Sequence, residues 1–177
     1  MVHYSLKPFE TPPEPFSLIV DSLTEKSELY LNFVLTGDIE PLNLPRPSEL
    51  PRRIEGLYHH TCFEVFIKRG KRYLEWNFSL AGDWCLFLFD DYRKKSDLNI
   101  PLDSSFFNIT QISQSPKMAN LKVSIPLDKL EFLGIGPFQI GLSAVIEHPK
   151  GILSYWSLEH RDKHPNFHHP DSFIGKL

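Results

Sequence analysis

The sequence predicts an all-β fold, a two-sheet antiparallel β-sandwich of the jelly-roll or immunoglobulin-like kind with little helix. Three observations carry this prediction. Short apolar segments alternate with polar positions at a period of two along much of the chain, which is strand rather than helix periodicity. Aromatic residues make up 13% of the 177 positions, 14 of them Phe, and such side chains suit the pleated surface of a strand. Fifteen prolines cut the chain before a long helix can form. Roughly eight or more short strands with almost no helix between them pack most simply as two sheets face to face. At 41% apolar content the chain fills one core, so a single domain over residues 1–177 is expected.

The first 16 residues hold Pro8, Pro12, Pro13 and Pro15 and read as an extended lead-in along the surface. Ser17 to Asp21 is a short apolar run. In Glu28 to Thr36, Leu29, Leu31, Phe33 and Leu35 alternate against Tyr30, Asn32 and Thr36, as in a half-buried strand. Pro41, Pro45, Pro47 and Pro51 then exclude helix and inner strand from Asp38 to Glu55 and leave a long irregular connection.

Leu57 to Phe89 reads as three strands joined by tight turns at Gly70-Lys71 and Ala81-Gly82. With Gly70 and Lys71 as central turn residues, Glu64 lies opposite Asn77 and Phe63 opposite Phe78. Phe63, Val65, Ile67, Leu74, Trp76 and Phe78 then share a core face, while His60, Cys62, Glu64, Tyr73, Glu75, Asn77 and Ser79 share the other. Carrying the register through the second turn, with Ser79 opposite Trp84, adds Trp84, Leu86 and Leu88 to the polar face. Cys85 and Phe87 fall on the core face. The two cysteines then point to opposite sides and form no disulfide, in keeping with a reducing compartment.

Beyond the polar loop Asp90 to Ser105, strands are expected at Phe106 to Ser113 and Leu121 to Ile125. Pro126 opens a one- or two-turn piece, PLDKLEFL, which Gly134 and Pro137 stop. Phe138 to Glu147 and Leu153 to Leu158 form a hairpin across His148 to Gly151, with Gly151 left-handed.

Charge and motifs narrow the function. A net charge of −3 gives no electrostatic support for a nucleic-acid or anionic-membrane partner, and neither is expected. The N-terminus lacks a basic region followed by an apolar core, which makes the cytoplasm the default compartment. No glycine-rich phosphate loop of the GxGxxG or GxxxxGK[ST] kind occurs, nor a GxSxG elbow. His160, His164 and His168 are four apart, but Pro165 inside that window breaks the helix that would stack them, and no metal site is expected.

The polar face is the candidate site. Carboxylates and amides bond hydroxyls and a flat ring packs on C–H groups, so His60, Glu64, Tyr73, Glu75, Asn77 and Trp84 suit a polyhydroxylated small molecule. The same face could instead be filled by the chain's own loops, with Glu64 and Asn77 in an internal polar network. Glu64 and Glu75 are diagonal neighbours whose spacing could serve acid and base work on a glycosidic bond, a less favoured alternative.

The string HHTCFEVFI, followed by YLEWNFS, GDW, SIPLDKL, SAVIEHPKG, SYWSLEH and a closing FHHPDSF, resembles a DOMON-like family of small bacterial proteins related to the family 9 carbohydrate-binding modules. The resemblance spans roughly residues 5 to 177. It implies a β-sandwich that binds a ligand, sugar or haem, on one sheet face. It places Glu64 at an acidic position of an early strand and Glu75 and Asn77 at polar positions of the next, and Trp156 is similar to the late tryptophan of the sugar-binding modules. The combined expectation is a non-catalytic module for a carbohydrate or glycan fragment, without a required cofactor. Haem or another cofactor is the alternative ligand, with His60 or a tail histidine as the only ligation available.

Overall fold

The computed structural model describes residues 1–177, the side chain of Lys176 excepted. Thirteen strands are present: β1 (Val2–Ser5), β2 (Lys7–Pro8), β3 (Phe16–Glu25), β4 (Glu28–Gly37), β5 (Cys62–Arg69), β6 (Arg72–Phe78), β7 (Trp84–Asp91), β8 (Lys94–Lys95), β9 (Asn108–Gln114), β10 (Met118–Pro126), β11 (Gln139–Glu147), β12 (Leu153–Ser157) and β13 (Gly175–Lys176). They form two antiparallel sheets. One runs β1-β3-β4-β10-β9, and the other runs β2-β12-β11-β5-β6-β7-β8, with β13 paired to β11. The expected β-sandwich is what the chain adopts. Its helical content is confined to short 3-10 turns, the longest being Leu127–Leu133 at the expected PLDKLEFL piece.

Between the sheets lie Leu18, Val20, Leu31 and Phe33 from one side and Phe63, Val65, Leu74, Trp76, Leu142 and Ala144 from the other, all buried. Phe33 and Phe63 meet across the interior with ring centroids 5.3 Å apart. Alternation along each strand delivers these residues inward, and the register of β5 with β6 is the expected one, Glu64 opposite Asn77 and Phe63 opposite Phe78.

Two expectations need correction. The lead-in of residues 1–16 contributes an edge strand to each sheet, β1 against β3 and β2 against β12. Leu6, between them, is buried and its N–H donates to the Leu18 carbonyl at 2.9 Å. The N-terminal segment therefore ties the two sheets together.

The second correction concerns the turn from β6 to β7. It is one residue longer than expected: Phe78 pairs with Trp84, and the Ser79 N–H donates to the Asp83 carbonyl at 2.9 Å, leaving Leu80, Ala81 and Gly82 as a three-residue loop. Gly82, at φ 89°, takes the left-handed position that such loops need. Because side chains alternate with period two, one added residue exchanges the faces of the whole strand. Trp84, Leu86 and Leu88 consequently pack into the core, and Cys85, Phe87 and Phe89 share the outer face with Glu75 and Asn77. The cysteines thus lie on the same face, not on opposite ones, and both are free thiols.

Candidate functional site

The outer face of the larger sheet carries the site. β5, β6 and β11 supply its floor: Glu64 pairs with Asn77 on one side and with Ser143 on the other, and Glu75 lies one diagonal away on β6. Two irregular segments rise over this floor. Glu55, Gly56, Tyr58 and His59 from one, and Pro165, Phe167 and His168 from the other, C-terminal one, line with the floor a cleft of about 740 Å³. That volume lies inside the range of about 300–1,000 Å³ typical of small-molecule sites. Phe87, Phe89, Tyr155, Phe167 and Tyr58 give the cleft aromatic walls.

Both floor carboxyls are buried, with relative exposures of 3% for Glu64 and 6% for Glu75. Burial pushes the Glu64 carboxyl well above its ordinary range, the nearby Glu75 charge adds to this, and a hydrogen bond donated by the Ser143 hydroxyl at 3.1 Å opposes it. Glu75 is also raised by burial, against the pull of Asn77, Lys95 and Arg93. Asn77 lies beneath as a bracket: its amide N–H donates to Glu75 Oε1 at 2.7 Å, and its Oδ1 accepts from the Cys62 thiol at 3.3 Å. Burial, followed by the Glu64 and Glu75 charges, raises Cys62 well above the usual thiol range. The sulfur stays protonated and is a poor nucleophile.

A second chain of contacts orients Glu75 from the side. His168 Nε2 is 3.5 Å from Glu75 Oε2, and His168 Nδ1 is 2.9 Å from the Tyr73 hydroxyl. Burial lowers the His168 pKa to about 4, with the Arg93 charge assisting, so the imidazole is neutral at pH 7. An N–H facing a carboxyl belongs on Nε2, and Nδ1 then accepts from the phenol. The Tyr73 hydroxyl accepts in turn from the Arg93 backbone N–H at 3.0 Å, and burial pushes its pKa up to about 12.

The seven sequence candidates separate. Glu64 and Glu75 line the cleft. Tyr73 and Asn77 are buried in the network under and beside them, the internal arrangement weighed from the sequence as the other possibility. His60 stands apart, exposed and 2.8 Å from Glu147 Oε2. It lines a neighbouring cleft of about 710 Å³ with Asn43, Thr61 and Asp83.

Trp84 is a correction: it packs against Phe107 with centroids 5.0 Å apart on the core side, turned there by the longer loop. Trp156 also points inward, 4.7 Å from the Phe16 ring, with its indole N–H donated to Ser154 Oγ at 2.9 Å. Neither tryptophan lines the cleft. The aromatic surface comes instead from Phe87, Tyr155 and Phe167. The correct loop length would have exposed the first, alternation from inward-facing Trp156 the second, and the FHH string of the tail is the only trace of the third.

The tail histidines go separate ways on an irregular segment, as Pro165 led one to expect. His160 bonds the Lys7 carbonyl at 2.8 Å, whereas His168 enters the site.

No family model and no curated protein matches this chain. Solved structures do share its fold. A candidate carbohydrate-binding protein from Bacteroides uniformis superposes with a TM-score of 0.65 at 12% identity, covering 97% of this chain and 84% of that one. A family 9 carbohydrate-binding module from Caldicellulosiruptor kristjanssonii, in complex with cellotriose, gives 0.63 at 12% identity over 98% and 80%. A family 9 module from the same organism with glucose bound gives 0.54 at 12% identity over 84% and 69%.

Proposed function

We propose that this protein is a non-catalytic module that holds a carbohydrate or glycan fragment in the cleft over Glu64 and Glu75. One observation carries the reading: two buried carboxyls biased toward protonation form the floor of a cleft with aromatic walls. A protonated carboxyl both donates and accepts, which matches a sugar hydroxyl, and an aromatic face matches the C–H side of a pyranose ring. The sugar complexes of fold neighbours and the resemblance to DOMON-like proteins support the same class of ligand.

Haem is less well served. Two histidines line the cleft: His168 of the C-terminal segment has both nitrogens engaged, with Tyr73 and Glu75, and the His59 ring packs against Tyr58. Catalysis on a glycosidic bond would ask for one ionised and one protonated carboxyl, whereas burial raises both here.

A thermal-shift screen of neutral oligosaccharides, followed by calorimetry, tests the proposal, because a ligand selective for the folded state raises Tm. Tyr155→Ala and Glu64→Ala should each weaken binding of the best sugar by about tenfold, the loss of one stacking surface or one buried hydrogen-bonding partner. Unchanged affinity in both variants would remove the cleft from consideration. A Soret band on haem titration, abolished by His168→Ala, would move the assignment to haem.

A further inference from the structure

The rim of the cleft carries two cations that the fold takes trouble to position. β7 turns into β8 through Tyr92 and Arg93, and Arg93 sits at φ 53°, in the left-handed region that a residue with a Cβ enters only at a cost. The strained backbone is tied down at both ends. Its N–H donates to the Tyr73 hydroxyl at 3.0 Å, and the Arg93 guanidinium donates to Asn166 Oδ1 of the C-terminal segment at 3.1 Å. Two residues on, Lys95 holds Nζ 4.3 Å from the centroid of Phe87, one of the aromatic walls. Among the described residues neither cation forms an ion pair with a carboxylate. Their influence falls on Glu75, whose carboxyl both pull down.

We infer that the cleft takes a sugar bearing an anionic group, a carboxylate or a phosphate, with Arg93 and Lys95 on the anion and the ring hydroxyls on Glu64 and Glu75. This rests on the sugar reading of the same cleft and adds the class of sugar. A neutral sugar would leave the positive charges of Arg93 and Lys95, both on the lining of the cleft, without a counter-charge. The floor acids do not oppose an anion, because burial favours their neutral forms.

Calorimetry with D-glucose, D-glucuronate and glucose 6-phosphate, at low salt and in about 0.5 M sodium chloride, where the Debye length shrinks to about 4 Å, separates the outcomes. An anionic sugar should bind about tenfold more tightly than glucose, and the advantage should shrink in salt and vanish in Arg93→Gln/Lys95→Gln. Both side chains are exposed, so the double variant should fold, its Tm lowered only by the loss of the Arg93–Asn166 hydrogen bond. A larger gain for glucuronate identifies a carboxylate, and a larger gain for glucose 6-phosphate a phosphoryl group. Equal affinity for glucose and both anionic sugars overturns the inference and leaves the sugar reading in place. An advantage that survives the double variant also overturns it. Binding of none of the three overturns both.

Discussion

At the scale of single residues, the site is set by what burial does to two ionisable groups. His168 titrates near 4 in the folded chain against an ordinary 6.5, and its side chain is 16% exposed. Between those values the unfolded chain binds a proton that the folded chain refuses, so stability falls as pH drops from 6.5 to 4. The gap is worth about 3 kcal/mol at about 1.4 kcal/mol per pH unit. His168→Gln should flatten the fall of the urea midpoint over that interval, and an unchanged slope would show that the imidazole is not neutral in the fold. Glu64 acts in the opposite sense. Its folded pKa is raised, so the folded chain keeps a proton that the unfolded chain releases, and stability falls as pH rises above the ordinary carboxylate range. Glu64→Gln removes that loss. Its Tm should gain on the wild type more at pH 8 than at pH 5, and a gain that does not grow with pH would count against a buried acid.

At the scale of elements, the outer face is built by two pieces of irregular chain laid over a sheet. Phe173 anchors the C-terminal piece, stacked on Phe66 at 5.4 Å and edge-on to Tyr73 at 5.7 Å. Gly141 of β11 makes room for it: a Cβ there would come within 2.5 Å of Phe173 Cδ1. Gly141→Ala should therefore displace Phe173 and cost about 1–3 kcal/mol, the usual penalty of overpacking. Trypsin should cut faster at exposed Arg161 and Lys163, and wild-type cleavage rates would mean that Phe173 is not the anchor. The paired strands around this site were legible in the sequence, because alternation fixes the face of every residue once a turn is placed. The turn from β6 to β7 was not. A two-residue turn at Ala81-Gly82 and a three-residue loop with Gly82 left-handed differ by one position, and that position decided whether Trp84 or Phe87 met the ligand face.

At the scale of the whole molecule, one sheet is inner scaffold and the other is scaffold inside and site outside. The sandwich was legible because it depends on many alternating residues at once, and errors at single turns do not change it. The cleft was less so. Its floor of Glu64 and Glu75 follows from strand register, but its walls come from residues 55–59 and 165–168, whose approach to the sheet depends on contacts with no periodic signature, such as His168 to Tyr73. The N-terminal segment, which joins both sheet edges, was hidden for the same reason: its pairing partners lie in β3 and β12. Whether the cleft on the outer sheet face receives a sugar is decided by an NMR titration of amide-labelled protein with cellotriose and with D-glucuronate. Saturable shifts should cluster at Glu64, Glu75, Phe87, Val145, Tyr155 and Phe167. Shifts confined to the other sheet, around Tyr30 and Asn32, or no saturable shift with either sugar, would contradict a sugar site in the cleft.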